Sequence, residues 1–557
     1  MDTNRASSGL PLTRRGFLRL SAIAAVPLLA ACAPATPAPA PTSAPPAAKP
    51  AGTTAAAQPS SAITRGGTVT QALNWTYPTM DPHLTTIQYM TGYEAMYNGL
   101  VRFELVDAKT WEHKLVPDLA ESWSQPDPKT IELKLKQGVK FHDGSDFTAE
   151  VAAWNLLRAR DHEKSQKKTQ LVDLDTATAA DKNTLVLKLK VPNPAFLRSM
   201  AFVVGARIHM MSKVAHDKLG DDGFARAPVG TGAFKFKQWV TDDRLILDRN
   251  PDYFEKGADG KQLPYLDGFV GRYVPDPTVA LTDMKAGTVQ VLEWVATKDV
   301  AAIKADPNMG IVEMPWAGQV YFMVGFNTEA KPFSDVRVRQ AALMGIDRDG
   351  MAKALGFGVG TPHFYPDWAK GSLGYDESIP KNEYNPAKVK QLLTEAGYPN
   401  GVEIELKVIA REPENTIGEF VQQMWSAVGI KTKLVAQERL SWIDAVRAKN
   451  FQSCFWRGTF VTTVDPDLLG VRIRCGGSSN WAQFCDKDID RLMNEGASTQ
   501  DEKKRHEIYK QVLTLIQERA YLGTGIQMPL VTAYRKDLQG MGMNYQVPDF
   551  RAAWLKK

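Results

Sequence analysis

Two hydrophobic periodicities alternate along the chain from residue 66 onward, and this alternation restricts the fold more than any other feature. Apolar residues recur at every second position in 131–136 and again in 185–190, which is typical of half-buried β-strands. Between these segments, apolar residues at helical spacing follow Thr148, which can serve as an N-cap. Because the two patterns intermix along the chain, they predict an α/β fold rather than an all-α or all-β fold.

Further helices are indicated by their start and stop signals. Asn385 followed by Pro386 predicts a helix N-terminus, and Gly397 is placed to end that helix. Asp335 and Asp347 are expected to cap two consecutive helices. The residues expected to face inward on these helices are Val151, Trp154 and Leu157; Val338, Ala342 and Ile346; and Val389, Leu392, Leu393 and Ala396.

Size and charge exclude several classes of protein. The chain has 557 residues, 44% hydrophobic and 23% charged, which predicts a globular protein of roughly three units at ~150 residues each. The net charge is +5, but four arginines and one aspartate in residues 1–31 account for +3 of it. The remaining +2 is too weak for a protein held on nucleic acid by phosphate neutralisation, so no nucleic-acid partner is expected.

The N-terminal segment predicts export and lipidation. Arg14 and Arg15 precede an apolar run that is too short for a mature membrane anchor, as in a twin-arginine signal peptide. The run ends in Leu-Ala-Ala-Cys32, which resembles the lipobox of bacterial lipoproteins. We expect residues 1–31 to be removed and Cys32 to be lipidated, with residues 32–65, rich in Pro and Ala, as a tether. The body would then be extracytoplasmic and lipid-anchored to the cell membrane, in the periplasm or at the cell surface.

Motifs for catalysis and for metal binding are absent from the sequence. There is no G-x-S-x-G, no H-E-x-x-H, no P-loop and no dinucleotide fingerprint. The eight histidines are scattered, so we expect neither a metal nor another cofactor. The glycine-rich segment 356–360 is either a simple tight turn or a place where backbone approaches a ligand, with Phe357 as the candidate contact. A binding protein is therefore expected rather than an enzyme.

Several short motifs occur together in the order and spacing of one family. They are 138–144 with 147–151, 230–234, 250–254 with 263–267, 338–341 with 346–348, 465–467, and 480–492. The set resembles the extracytoplasmic solute-binding proteins of ABC importers, of the peptide/nickel/opine class (family 5), and within it the dipeptide- and oligopeptide-binding lipoproteins. Ala233 and Phe234 depart from the Pro-Tyr of the family's turn. The motifs consist of turn and cap residues, so they indicate the fold and not the ligand.

The resemblance implies a two-lobed, type II periplasmic-binding-protein-like fold with an extra subdomain. Lobe I would comprise residues 66–316 plus 527–557, with the inserted subdomain at about 111–227, and lobe II would comprise 317–526. Such a protein closes its lobes on a solute and presents the closed form to the membrane subunits of an ABC permease. A monomer is expected.

The resemblance also suggests ligand-binding residues. In peptide-binding relatives, a strand ending in Gly-Trp is followed within three residues by an aspartate that pairs with the ligand's α-ammonium. Trp456 matches the tryptophan, and Thr459 stands where that aspartate aligns. Asp465 is the nearest acid downstream, although it is equally placed to cap a helix before Leu468. If Arg457 points inward, it disfavours an ammonium and favours a carboxylate, a phosphate or a neutral polyol.

Aromatic and cysteine residues complete the candidate site. Trp75 and Tyr77, after the first predicted strand, are candidate stacking faces for sugar rings or peptide side chains, with burial in the core as the alternative. The resemblance implies a disulfide between Cys475 and Cys485 around a glycine-serine loop near the cleft, with two reduced thiols as the alternative. Cys454 is expected to be a buried free thiol on a strand.

The resemblance to this family implies a peptide as the solute. An oligosaccharide or another non-peptide solute is the alternative, and nickel ranks third because histidines are few. A secreted hydrolase would need a nucleophile, a base and oxyanion donors, which nothing in the sequence marks. An adhesin or a chaperone would have no defined small ligand.

Overall fold

The computed structural model describes residues 63–85, 91–107, 112–201, 207–314, 320–368, 370–411, 413–458 and 465–556. The predicted signal peptide, Cys32, most of the tether and Thr459 lie outside these ranges. Within them, no helix combines the length and the apolar character needed to cross a bilayer. Strands and helices intermix throughout, which confirms the predicted α/β class.

One large sheet, here called the N-terminal sheet, is parallel at its centre. Thr68–Leu73 pairs in parallel with Gly268–Tyr273 on one side and with Val291–Leu292 on the other. The carboxyl ends of these strands therefore lie at one edge of the sheet. In the described part of the chain its seven strands run in the order Met309–Met314, Leu530–Arg535, Val291–Leu292, Thr68–Leu73, Gly268–Tyr273, Arg244–Arg249, Phe234–Val240.

A second large sheet, here called the middle sheet, contains three mutually parallel strands. Val402–Ile409 pairs in parallel with both Ile430–Gln437 and Ser453–Gly458. Among the described residues the strand order is Thr361–Pro362, Ile526–Gln527, Val320–Phe326, Ser453–Gly458, Val402–Ile409, Ile430–Gln437, and Leu522–Thr524 also pairs with Val320–Phe326.

An antiparallel sheet, here called the subdomain sheet, contains the two strands predicted from alternating residues. The segments predicted at 131–136 and 185–190 are Thr130–Leu135 and Thr184–Leu189, and they pair with each other, with Ile131 opposite Leu187. The described strand order is Ala120–Asp127, Thr130–Leu135, Thr184–Leu189, Leu174–Asp181. Smaller two-stranded sheets join Val101–Asp107 to Glu112–Pro117, Leu538–Gln539 to Trp554–Leu555, and Gly542–Asn544 to Val547–Asp549.

Helices cover these sheets and begin where the sequence predicts caps. The side chains of Thr148, Asp335, Asp347 and Asn385 each accept a hydrogen bond from a backbone N–H in the first turn of the following helix. Gly397, with φ +91°, follows the end of the last of these helices. The α-helices of the described residues are Thr91–Met96, Ala149–Asp161, Phe196–Ala201, Lys213–Phe224, Pro277–Lys285, Val300–Ala305, Val336–Met344, Arg348–Leu355, Pro386–Glu395, Glu414–Ala427, Arg439–Arg447, Gly470–Ile473, Lys487–Ser498 and Glu502–Arg519.

The buried face of helix Ala149–Asp161 differs from the predicted one. Its fully buried apolar residues include Ala152, Leu156 and Ala159, whereas the predicted Val151, Trp154 and Leu157 are half-buried. Small residues face the core because the helix lies close against its neighbours there. Trp154 instead contacts the neighbouring helix Lys213–Phe224, with its ring 5.3 Å from that of His216. On the two later helices, the predicted inward residues Val338, Ala342, Val389, Leu392 and Leu393 are buried, as is Ile346 just beyond the first of them.

The chain passes between the two large sheets twice, at neighbouring positions. In the N-terminal sheet Met314 is paired with Leu530, and in the middle sheet Val320 is paired with Gln527. Both pairs belong to antiparallel ladders. The outgoing and returning passages therefore start and finish side by side.

Candidate functional site

A cavity of about 440 Å³ is lined by residues that follow strands of both large sheets. This volume is within the usual range of small-molecule sites, which is about 300–1,000 Å³. The lining residues are Trp75, Trp294, Asp367, Ile409, Arg411, Arg439, Trp442, Ile443, Trp456, Arg457, Gly458, Arg472, Ser479, Trp481, Ala482 and Leu522. A solute in this cavity would contact residues of the N-terminal sheet and residues of the middle sheet at the same time.

A larger cavity, of about 630 Å³, lies against the subdomain sheet. It is lined by His113, Trp123 and Arg198 among others, and no residue of the middle sheet contributes to it. A solute there would not bridge the two large sheets, so the smaller cavity is the better candidate for a binding site that responds to closure.

Four of the lining side chains occupy one position relative to a strand, two residues beyond its end. They are Trp75 after Thr68–Leu73, Trp294 after Val291–Leu292, Arg411 after Val402–Ile409, and Arg439 after Ile430–Gln437. In each sheet the two strands concerned belong to a parallel array, so their carboxyl ends share an edge. Ligands of α/β folds bind outside the carboxyl ends of parallel strands, and this cavity follows that rule.

Tryptophans form much of the cavity wall. The N-terminal sheet contributes Trp75 and Trp294, and the part of the chain around the middle sheet contributes Trp442, Trp456 and Trp481. The rings of Trp442 and Trp481 lie 5.6 Å apart and are inclined by 58°. Indoles offer flat apolar faces with one N–H donor, which suits stacking against a ring or a peptide side chain.

Trp294 adopts a left-handed backbone conformation, with φ +59°. For a bulky residue this conformation costs about 1–3 kcal/mol, and residues held in this way cluster at functional sites. The strain places an indole at the cavity directly after the buried strand end Val291–Leu292.

Two arginines of the cavity share one buried carboxylate. Nε of Arg411 and Nε of Arg457 donate to the same oxygen, Oε1 of Glu414, at 2.8 and 3.0 Å. The Glu414 side chain is fully buried in the first turn of helix Glu414–Ala427, where the helix dipole favours a negative charge. Two guanidinium groups against one carboxylate leave this cluster with one formal positive charge.

The other charged lining residues add to this excess. Arg472 is paired with the buried Asp367. Arg439 is exposed and forms no ion pair with any residue that the structure describes. Among the residues that the structure describes, four arginines thus stand against the two carboxylates of Asp367 and Glu414, so this part of the cavity wall has a positive field that favours an anionic solute.

A disulfide closes the loop that forms one wall of the cavity. Cys475 and Cys485 are bonded, with their Cα atoms 4.4 Å apart, and the loop between them carries the lining residues Ser479, Trp481 and Ala482. The thiol of Cys454, on strand Ser453–Gly458, donates to the carbonyl oxygen of Trp481 at 3.4 Å. Burial raises the pKa of the Cys454 thiol, which is therefore an uncharged packing group beneath this wall.

Trp75, Trp456 and Arg457, predicted as ligand contacts, are brought together in the cavity. Tyr77 is not: it lies in the core, and its hydroxyl accepts a hydrogen bond from Gly92 N at 3.1 Å. Burial raises the pKa of Tyr77 well above its ordinary value. Phe357 is 59% exposed on the turn after helix Arg348–Leu355 and does not line the cavity, so the tight-turn interpretation of 356–360 applies.

Asp465 also lies away from the cavity, and its role is structural. It caps the 3₁₀ helix Pro466–Leu469 by accepting from Asp467 N at 3.0 Å. Its two carboxylate oxygens accept from Arg505 Nη1 and Nη2, both at 2.8 Å, and the pair is almost fully buried. This carboxylate is already satisfied, which agrees with the cap interpretation rather than with a ligand contact.

Sequence analysis did not identify the remaining lining residues, notably Trp294, Arg411, Arg439, Arg472 and Trp481. A usable signal is present in the sequence: an arginine or a tryptophan stands two residues beyond four predicted or predictable strands. That signal identifies a common site only when the pairing of the strands is known, because the pairing brings the strand ends to one edge. Within the described ranges, no group of three or more His, Cys, Asp or Glu residues could hold a metal ion.

Comparison with known proteins identifies the family of the chain. Residues 114–480 match the family described as bacterial extracellular solute-binding proteins, family 5 middle. The chain belongs to this family. Family 5 proteins bind solutes for transport, so the prediction of a binding protein rather than an enzyme is confirmed.

Individual relatives agree with this membership. The chain is 27% identical to the dipeptide-binding protein of Escherichia coli K12 over 483 residues, 80% of this chain and 86% of that protein. It is 30% identical to heme-binding protein A of Haemophilus influenzae over 477 residues, 78% of this chain and 81% of that protein. The structure of HbpA2 from Haemophilus parasuis superimposes with a TM-score of 0.75 at 25% identity, covering 88% of this family 5 chain and all of HbpA2. The predicted two-lobed, type II periplasmic-binding-protein-like fold is confirmed.

Proposed function

We propose that this family 5 protein captures a peptide in the cavity between its two large sheets and delivers it to the membrane subunits of an ABC importer. The observation that carries the proposal is the lining of the cavity, which takes Trp75 and Trp294 from one sheet and Arg411, Arg439 and Arg457 from the other. A solute that contacts both sides binds the closed form more tightly than the open form, and so shifts the population toward closure.

The proposed lobes follow the strand membership of the sheets, with the exception of Gln527, which pairs with Val320 in the middle sheet. Lobe I is residues 66–316 plus 527–557, with the inserted subdomain at about 111–227, and lobe II is residues 317–526. Support comes from the paired crossing points, Met314 with Leu530 and Val320 with Gln527. Two passages whose ends are paired are suited to a hinge because few backbone angles need to change.

Peptide ranks first because a relative that shares most of its length with this chain is a dipeptide-binding protein. The cavity arginines suit the carboxylates of a peptide. A non-peptide solute, such as an oligosaccharide, is the second candidate. It is favoured by the five indoles of the wall, and another relative carries the name heme-binding protein A.

The proposal includes the cellular location of the protein. Export through the twin-arginine signal, cleavage after Ala31 and lipidation of Cys32 would hold a monomeric body at the membrane by a tether. We expect Cys32→Ala to release the protein from membranes, with the wild-type protein staying in the membrane fraction. An intact mass of the membrane-extracted protein without an acyl addition would contradict lipidation.

The capture of a peptide is tested by native mass spectrometry of the protein as purified, followed by calorimetry with a peptide panel. We expect copurified peptide masses, and a smaller radius of gyration by small-angle scattering when a binding peptide is added. A uniform hexose-spaced mass series would favour the second candidate. Tight binding without compaction, mapped by mutation outside the cavity, would contradict the proposed site.

A further inference from the structure

The charges of the cavity are distributed unequally between its two sides. Of the lining arginines, Arg411 and Arg439 follow strands of the middle sheet, Arg457 lies in one of its strands, and Arg472 lies in the helix Gly470–Ile473. From the N-terminal sheet the described lining residues are the indoles Trp75 and Trp294, which carry no charge. One side of the cavity is thus charged and aromatic, and the other side is aromatic alone.

The positive charge on the middle-sheet side exceeds what the buried carboxylates neutralise. Glu414 serves both Arg411 and Arg457 through a single oxygen, and Asp367 serves Arg472. Arg411 remains half exposed although it is paired, and Arg439 is exposed at the start of its helix. Guanidinium groups that are held by a buried carboxylate and still reach solvent are oriented in advance for a second carboxylate.

The same lining disfavours a free ammonium group. Among the described lining residues, Asp367 is the sole carboxylate, and it is paired with Arg472. An ammonium placed here would meet a net positive field, so a net cationic peptide binds against repulsion that an acidic peptide does not experience.

We propose that the cavity selects peptide-sized solutes that carry at least two anionic groups and one flat apolar group. The anionic groups bind the arginines of the cavity, and Trp75 and Trp294 cover the flat group. This inference rests on the proposed function and assigns to it a solute class.

Three tripeptides test the solute class by calorimetry with the full mature protein: Glu-Trp-Glu, Gln-Trp-Gln and Glu-Ala-Glu. We expect Glu-Trp-Glu to bind about tenfold more tightly than Gln-Trp-Gln at low salt, with the difference shrinking as salt increases. Glu-Ala-Glu should bind about tenfold more weakly than Glu-Trp-Glu because it lacks the flat group. Equal affinity for Glu-Trp-Glu and Gln-Trp-Gln would overturn the inference and leave the proposed function intact. Failure of all three peptides to bind would overturn both.

Single substitutions test whether the lining arginines supply the positive charge that binds the solute. Arg439→Gln breaks no ion pair of the described residues, so the protein should fold as before. It should lose about tenfold in affinity for Glu-Trp-Glu and less for Gln-Trp-Gln, in which the terminal carboxylate is the sole anionic group. The control Arg491→Gln removes an equal charge from the exposed helix Lys487–Ser498, outside the cavity lining, and should change neither affinity. An unchanged affinity in Arg439→Gln would count against the arginine site.

Discussion

Arg457 donates from Nε to the buried carboxylate of Glu414 at 3.0 Å, which joins the end of strand Ser453–Gly458 to the first turn of helix Glu414–Ala427. Arg411, beyond the neighbouring strand, reaches the same oxygen. The carboxylate therefore fixes the orientation of two cavity side chains that come from segments about 45 positions apart in the chain. Such a group links the stability of the middle sheet to the geometry of the binding site.

Glu414→Gln should lower stability and raise anion affinity together. The two guanidinium groups would lose their shared counter-charge, and because both are partly exposed we expect a loss of about 1–3 kcal/mol in the free energy of unfolding. Oε1 of the glutamine can still accept from both arginines and keep them oriented, so the added net positive charge should strengthen binding of Glu-Trp-Glu several-fold. Denaturant unfolding and calorimetry measure the two effects. Glu403→Gln, which breaks an exposed pair with Lys431 on the same sheet, is the control and should change neither quantity.

Asp465→Asn should destabilise the protein without changing its ligand affinity. Burial alone would lower the pKa of Arg505, but the two hydrogen bonds that Arg505 donates to the Asp465 carboxylate hold that pKa above its ordinary value. Removing the carboxylate leaves a buried guanidinium without its partner, so we expect a loss of about 3–5 kcal/mol by denaturant unfolding. Asp217→Asn, which removes an exposed partner of Lys213, should cost less than about 1 kcal/mol. A changed affinity with unchanged stability would restore Asp465 as a ligand contact.

Replacing both Cys475 and Cys485 by serine should weaken both the fold and the site. For a closed loop of ten residues the chain-entropy relation gives about 2–3 kcal/mol of stability. The affinity for the solute should also fall, because Trp481 lies in this loop. Replacing the buried Cys454 by alanine is the comparison, since it removes a thiol but no cross-link. Nonreducing peptide mapping that finds Cys475 and Cys485 fully alkylated would show that the bridge is not formed in solution.

Glu293 should make stability depend on pH. It is buried next to Trp294, and burial raises its pKa from an ordinary value of 4.5 to about 8. The unfolded chain releases this proton near pH 4.5 and the folded protein only near pH 8, so stability falls as pH rises through that window and levels off above it. The loss is about 3–5 kcal/mol, and Glu293→Gln should remove it.

The corresponding measurement compares the unfolding free energies of wild type and Glu293→Gln at pH 5, 7 and 8.5. We expect the difference to grow in favour of the variant as pH rises. Tyr77, also buried nearby, stays neutral across this range because burial raises its pKa further. Glu419→Gln, at an exposed position, is the control and should follow the wild type at each pH. A constant difference between Glu293→Gln and wild type would contradict the assignment.

Local signals account for the parts of the fold that the sequence predicts well. The caps at Thr148, Asp335, Asp347 and Asn385 depend on a side chain and a backbone N–H two or three residues away, so a short window contains the whole interaction. The buried face of helix Ala149–Asp161 was predicted wrongly for a related reason. Which side of a helix is buried depends on its neighbours, and these come from distant parts of the chain.

The candidate site was only partly predictable. Trp75 and Tyr77 are two positions apart in one loop, yet Trp75 lines the cavity and the Tyr77 side chain is buried in the core. The difference is fixed by Gly92, fifteen positions after Tyr77, whose N–H bonds the tyrosine hydroxyl. Arg411 and Arg439 were missed because their meeting at one edge depends on the parallel register of two strands, which no local pattern encodes.

The two places where the chain passes between the large sheets are paired, Met314 with Leu530 and Val320 with Gln527, and this pairing determines how the chain could be rearranged. Residues 320–527 form a continuous block whose first and last residues, Val320 and Gln527, are hydrogen-bonded strand neighbours. A block with adjoining ends can be cut out and rejoined by a short linker, or have its ends moved, with little change in chain entropy. The middle sheet thus has the topology of a domain inserted into the N-terminal sheet. The strands of the N-terminal sheet on either side of the insertion pair with each other where Met314 lies opposite Leu530.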